Sequence, residues 1–185
     1  RQVAANHPPG GMQVFQAVAE QHATGARSLL ERAGYQAVRD FHEMRRTLQD
    51  EIQSWPLPAG VEVRPVEEMD YPAIWAAGDE TSVEEWGYTP PTQEAYQEWL
   101  ASPHFQPGLW QIAWDTASGK VAGHALTYID AQENTAMQRQ RGYTEGIGVS
   151  PAWRRQGLAT ALIGLSLRAQ QAAGMSESAL AVDSQ

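Results

Sequence analysis

Residues 149–160 read Val-Ser-Pro-Ala-Trp-Arg-Arg-Gln-Gly-Leu-Ala-Thr, and they stand where an apolar strand gives way to an alanine- and leucine-rich helix. The first amides of a helix have no partner inside it, and the helix dipole places partial positive charge on them. Gly157 permits close backbone approach, Ala159 leaves room beside it, and Arg154 and Arg155 add charge. With Gln156, Leu158 and Thr160 completing the turn, the stretch is predicted to be a phosphate cradle that needs no metal. It is not of the Walker type, because no Gly-Lys-Ser/Thr is present. An ordinary helix start is the plainer reading of the same residues.

The elements that must present this turn follow from periodicity and punctuation. Residues 144–149 are predicted to be the strand that feeds it, residues 158–173 the helix that leaves it, and residues 178–182 a further strand. Upstream, residues 61–64 read as a strand and 67–79 as a helix, with Pro72 tolerated near its first turn. A second helix opens at Thr89-Pro90-Pro91-Thr92, has Tyr96, Trp99 and Leu100 as its apolar face, and is closed by Pro103. Residues 109–114 and 121–129 are predicted strands of a hairpin turning through 116–120, with Trp110 and Trp114 in or beside the core. The polar stretch 130–141 reads as loop.

Before residue 55 the pattern is shorter-ranged. Residues 11–18 form an apolar run of strand length. Ala26, Leu29, Leu30 and Ala33 fall on one face of a helix, with Gly34 placed to end it. Residues 35–46 read as extended, with an imperfect alternation that a bulge would explain. Trp55-Pro56-Leu57-Pro58-Ala59-Gly60 is a proline-rich break and the expected domain boundary.

Composition bounds the partners. The 185 residues suffice for one ordinary domain or pieces of two, and 42% hydrophobic with 19% charged residues is a globular balance. A net charge of −9 leaves no basic footprint for nucleic acid and is repelled by an anionic membrane surface. Cysteine is absent, so disulfides, thiolate nucleophiles and cysteine-bound zinc are excluded. The five histidines show no metal-ligand spacing, and neither a run of 18 apolar residues nor a signal-peptide profile appears. No metal, no membrane partner and a cytoplasmic location are the expectations.

The motif Arg154-x-x-Gly157-x-Ala159, preceded by Val149-x-Pro151, resembles the acyl-CoA loop of the GNAT superfamily of N-acetyltransferases, where it reads Arg/Gln-x-x-Gly-x-Gly/Ala. From Val61 the element order is similar to that of a GNAT domain up to its fifth strand. Leu29-Leu30-Glu31-Arg32-Ala33-Gly34-Tyr35 resembles the Leu-Tyr-Glu-x-x-Gly-Phe that follows the fifth strand of the family, and Met44-x-Arg46-x-Leu48 its usual ending. The resemblance implies an α/β fold with a mixed central sheet flanked by helices. It also implies a tandem arrangement: residues 1–50 the end of a first copy, with 12–18 as its fifth strand, 51–60 a linker, and 61–185 a second copy lacking its final helix and strands. The N-terminal piece is then expected to pack on the second copy as a permuted substitute, or to do so between two molecules as a homodimer by strand swapping.

The resemblance further implies acetyl-CoA as cosubstrate and a small amine as acceptor, joined by direct attack in a ternary complex. Residues 154–160 would hold the pyrophosphate, and the backbone of Ile147, Gly148 and Val149 would line the pantetheine arm and offer an oxyanion donor. For Gly148 a plain strand glycine or a bulge stays open. An amine arrives protonated, and Glu145, on the strand before the cradle, is the candidate base; a solvated strand-end carboxylate is the alternative. Glu84, Glu85, Trp86 and Tyr88 lie where the family builds its acceptor pocket and suit a cationic amine, or else form a solvated acidic turn over core aromatics. Trp153 shields the cradle or anchors its loop. Leu30 stands where the family's proton-donating tyrosine falls in the first copy, which suits a non-catalytic first copy. The rival functions are an acyl-CoA-binding regulatory module without turnover and a scaffold that meets an occasional anion.

Overall fold

The structure is a computed structural model, described here for residues 15–184. Residues 41–183 form one compact unit, and the described part of residues 1–40, with Ser184, another. In the smaller unit, α1 (Thr24–Arg32) ends in a Schellman turn: Gly34, at φ +90°, donates to Glu31 O and Tyr35 donates to Leu30 O, both at 3.0 Å. The predicted strand 11–18 lies outside the described residues up to 14, and from Phe15 to Val18 the chain is irregular.

In the larger unit the strands are β1 (Phe41–Thr47), β2 (Val61–Val63), β3 (Gln111–Asp115), β4 (Val121–Tyr128), β5 (Arg141–Val149) and β6 (Glu177–Asp183). The helices are α2 (Tyr71–Ser82), α3 (Gln93–Leu100), α4 (Ala131–Met137) and α5 (Leu158–Ala172). The strands make one mixed sheet in the order β1-β6-β5-β4-β3-β2, parallel between β5 and β6 and antiparallel elsewhere. Alternation along β3 sorts its residues between two layers. Ile112 and Trp114, with Trp110 just before them, join Ile74 and Ala77 of α2, while Ala113 joins Leu158 and Leu162 of α5. Both tryptophans are core residues, as their spacing predicts.

Two expectations give way to the structure. The stretch read as loop from 130 to 141 contains α4, capped by Asp130, whose carboxylate accepts from Glu133 N at 2.8 Å. The extended stretch foreseen at 35–46 becomes a strand only from Phe41.

That strand, β1, pairs antiparallel along the whole length of β6, within the same chain. Arg141 of β5, only 2% exposed, donates to Glu177 of β6 at 2.6 Å and to Glu43 of β1 at 3.2 Å, so one buried cation ties three strands together. The segment after β1 lies along α5. Leu48 and Ile52 bury against Leu167, and Trp55 covers Gly164 so closely that a Cβ there would stand 2.7 Å from its ring. Proline and glycine make 51–60 irregular without setting it free.

Candidate functional site

The cradle turn is built as its sequence requires. Gly157 is the residue before α5 and adopts φ +83°, and Arg155 also takes a left-handed conformation at φ +63°. Among the described residues, no hydrogen bond of normal geometry runs from the amides of residues 155–160 to the chain; the first such amide is that of Ala161, which donates to Gly157 O at 3.1 Å. Arg155, Gln156, Gly157 and Thr160 are exposed, Ala159 is half-buried, and Leu158 sends its side chain into the core so that only its backbone faces the turn. A Cβ on Gly157 would meet nothing within 4 Å, so open space surrounds the turn. Trp153 packs with Leu57, Val61, Val63 and Val149 against the core and anchors the loop.

The strand before it opens a gap. β5 pairs with β6 only from Arg141 to Tyr143, and from Thr144 to Val149 its β6 side has no strand partner. On the other side β5 stays paired to β4, with a register shift between His124 and Leu126. The irregularity coincides with Gly146, at φ +52°, so the bulge sits there and not at Gly148. Gly148 is glycine for a different reason: a Cβ would stand 2.4 Å from both His124 Nε2 and Thr81 Oγ1. A helix N-terminus with unpaired amides thus lies at the end of a strand half of whose edge is open. The first offers charge-complementary donors to a phosphate, and the second offers extended backbone to an amide-bearing chain.

Around this pair the structure distributes the other predicted residues. Arg154 donates to Val149 O at 3.2 Å and to Glu84 at 3.1 Å, which brings the cradle and the acidic turn after α2 together. The Tyr88 hydroxyl donates to Asp79 at 2.6 Å, and Trp86 is about half exposed. Glu145 is exposed and lies opposite Leu126, with no hydrogen bond to Glu84, Glu85 or Tyr88 among the described residues. Ile147 is exposed to 36%.

Sequence reasoning missed the residues behind Glu145. His124, Thr81 and the bulge form one hydrogen-bonded group. Beside it His104, Tyr128 and Tyr143 stack ring on ring, with centroids 4.1 and 5.0 Å apart. The Tyr128 phenol is pushed up from its ordinary value, chiefly by burial and then by the charge of Glu145. The Tyr143 hydroxyl donates to Glu133 at 2.6 Å and accepts from Arg139 at 2.9 Å. Period-two alternation on facing strands was the available signal, but the register that makes Tyr128 oppose Tyr143 cannot be read from either strand alone.

A family model described as the acetyltransferase (GNAT) family matches residues 61–185. The chain belongs to that family. As a GNAT domain it is similar to the crystal structure of a GCN5-related N-acetyltransferase from Sphaerobacter thermophilus, at 30% identity and a TM-score of 0.71, over 89% of this chain and 49% of that one. A GCN5-related glucosamine N-acetyltransferase region of a fungal multi-domain GH3 β-N-acetylglucosaminidase shares the fold, at 13% identity and a TM-score of 0.63, over 89% of this chain and 21% of that one. So does the NatC complex bound to Gag peptide and CoA, at 23% identity and a TM-score of 0.50, over 65% of this chain and 72% of that one. The chain thus spans about half the length of the Sphaerobacter protein. Comparison with curated proteins gave no match. The family is one of acetyltransferases.

Proposed function

We propose that the chain belongs to an N-acetyltransferase that moves the acetyl group of acetyl-CoA to a small amine by direct attack. The observation that carries this reading is the run of unpaired amides at 155–160 beside the open edge of β5. When bound, acetyl-CoA supplies an acetyl thioester and a pyrophosphate. The amides of 155–160 donate to the pyrophosphate, with Arg154 and Arg155 adding charge. The backbone of Ile147, Gly148 and Val149 lines the pantetheine arm and gives one amide to the carbonyl oxygen as negative charge grows on it. Glu145, exposed on β5, takes a proton from the acceptor's ammonium directly or through water. The free amine then attacks the thioester carbonyl, so that the C–N bond forms, the C–S bond breaks and CoA leaves as the thiol with the proton the amine nitrogen gives up. Glu84, Glu85, Trp86 and Tyr88 hold the cationic acceptor, with Glu84 oriented by its bond to Arg154.

We also read the protein as a tandem GNAT enzyme of which these residues span the end of one copy and most of the next, working in the cytoplasm. The Sphaerobacter relative, twice as long, supports this reading. The antiparallel pairing of β1 with the whole of β6 is compatible with it. A swapped dimer would exchange β1 between two molecules, and sedimentation at a dimer mass is its test.

Calorimetric titration with acetyl-CoA tests the function. Wild type is expected to bind, and Arg154→Ala to bind about tenfold more weakly, the loss of one charge-assisted contact. Gly157→Asp is expected to abolish binding, because a carboxylate would stand where the pyrophosphate docks. Equal affinity in all three proteins refutes the cradle. Binding without thiol release across a panel of amines replaces the transferase reading with that of an acyl-CoA-binding module.

A further inference from the structure

His124 is 3% exposed, on the β4 face that meets α2, where its ring meets Gly146, Thr81 and the Ala77 backbone. Its Nδ1 lies 2.6 Å from the carbonyl oxygen of Gly146, and its Nε2 lies 3.2 Å from Thr81 Oγ1. A carbonyl oxygen can only accept, so a bare Nδ1 at that distance would set two lone pairs against each other. Nδ1 therefore carries the proton and donates it. In the neutral ring, which burial favours, Nε2 is then bare and accepts from the Thr81 hydroxyl. That hydroxyl has one proton and two alternative acceptors in Ala77 O at 3.0 Å and Gly78 O at 3.1 Å, so α2 holds it ready beside the ring.

Gly146 is the left-handed residue of the bulge, and a peptide bond is planar and trans. Pinning the Gly146 carbonyl toward His124 therefore fixes the Ile147 amide in the opposite direction, away from the imidazole. Gly148, two residues on, has no room for a side chain because His124 and Thr81 fill that space. Resting on the transferase reading above, we propose that His124 is a positioning residue for acyl transfer. It holds the bulge in the one shape that aims the Ile147 amide at the acyl carbonyl.

The proposal has two readouts. Nitrogen-15 spectra of the wild-type protein are expected to show His124 protonated at Nδ1 and bare at Nε2; the opposite tautomer overturns it. In kinetics, His124→Asn keeps an N–H near the position of Nδ1, whereas His124→Leu has none. His124→Leu is expected to lose about 10- to 100-fold in kcat, with the KM for acetyl-CoA changed by less than about threefold, and His124→Asn to stay within about threefold of wild type. Equal losses in the two variants, or a loss confined to KM, overturn the proposal, because a merely structural histidine would not distinguish Asn from Leu. If His124→Leu does not fold, the tautomer and the His124→Asn rates decide the matter. If the wild type turns over no amine, the transferase reading fails by itself. The positioning role is then judged on the Gly146 carbonyl carbon shift, which must move in a folded His124→Leu or His124→Phe and stay put in His124→Asn.

Discussion

Gly146 and Gly148 stand two apart on β5 and are glycines for unrelated reasons. The first supplies a left-handed backbone, while the second leaves its side-chain volume to His124 and Thr81. Replacing Gly148 by alanine is predicted to cost about 1–3 kcal/mol, because both neighbours are held by hydrogen bonds and cannot both yield. Thermal unfolding checks this, and an unchanged midpoint would contradict the packing described. His124 itself was present in the sequence only as one of five histidines without metal spacing. Nothing local marks it, because its partners come from a helix more than forty residues upstream and a strand more than twenty downstream. The turn before α5 was legible for the opposite reason: Arg154, Gly157 and Ala159 are sequence neighbours, and the left-handed Gly157 is a property of the turn itself.

At the scale of elements, legibility follows the strength of the hydrophobic period. α5 and β4, with buried residues along most of their length, match their predicted bounds within about one residue. α4 has no buried residue, so its sequence carries no period and reads as loop. Its one local sign was the cap, an Asp130 three residues before Glu133. Asp130→Ala is predicted to destabilise the protein by about 1 kcal/mol through loss of that cap, measured by urea denaturation. The β1 pairing was foreseeable as a possibility but not as a register, since Met44 meets Leu180 across most of the chain.

For the whole molecule, stability is predicted to fall in two steps as pH is lowered. Burial holds the His124 imidazole below its ordinary value, so the unfolded chain takes up a proton that the folded one refuses. The resulting stability is full above the unfolded value of about 6.5 and declines as pH drops below it. Asp70 behaves as a depressed carboxylate. Arg64, with two hydrogen bonds at 2.7 and 2.8 Å, holds its carboxyl below the usual range. Its contribution is present above the unfolded value of about 3.9 and is lost as pH falls through the folded one. Denaturant midpoints measured from pH 8 to pH 3 are expected to lose the upper step in His124→Asn and the lower one in Asp70→Asn.

Deep in the sheet, Thr127, Thr144, Ser166 and Gln170 share a buried hydroxyl and amide cluster, with Ser166 2.6 Å from Thr127 and 2.8 Å from Thr144. Oil-like contacts alone would let a smooth helix slip along the strands at small cost, whereas directional bonds admit a single seating. α5 is thus keyed to β4 and β5 at mid-length, and it carries its first turn as a rigid arm. A change eight residues away from Leu158, at Ser166, would displace the turn at 154–157 without touching it.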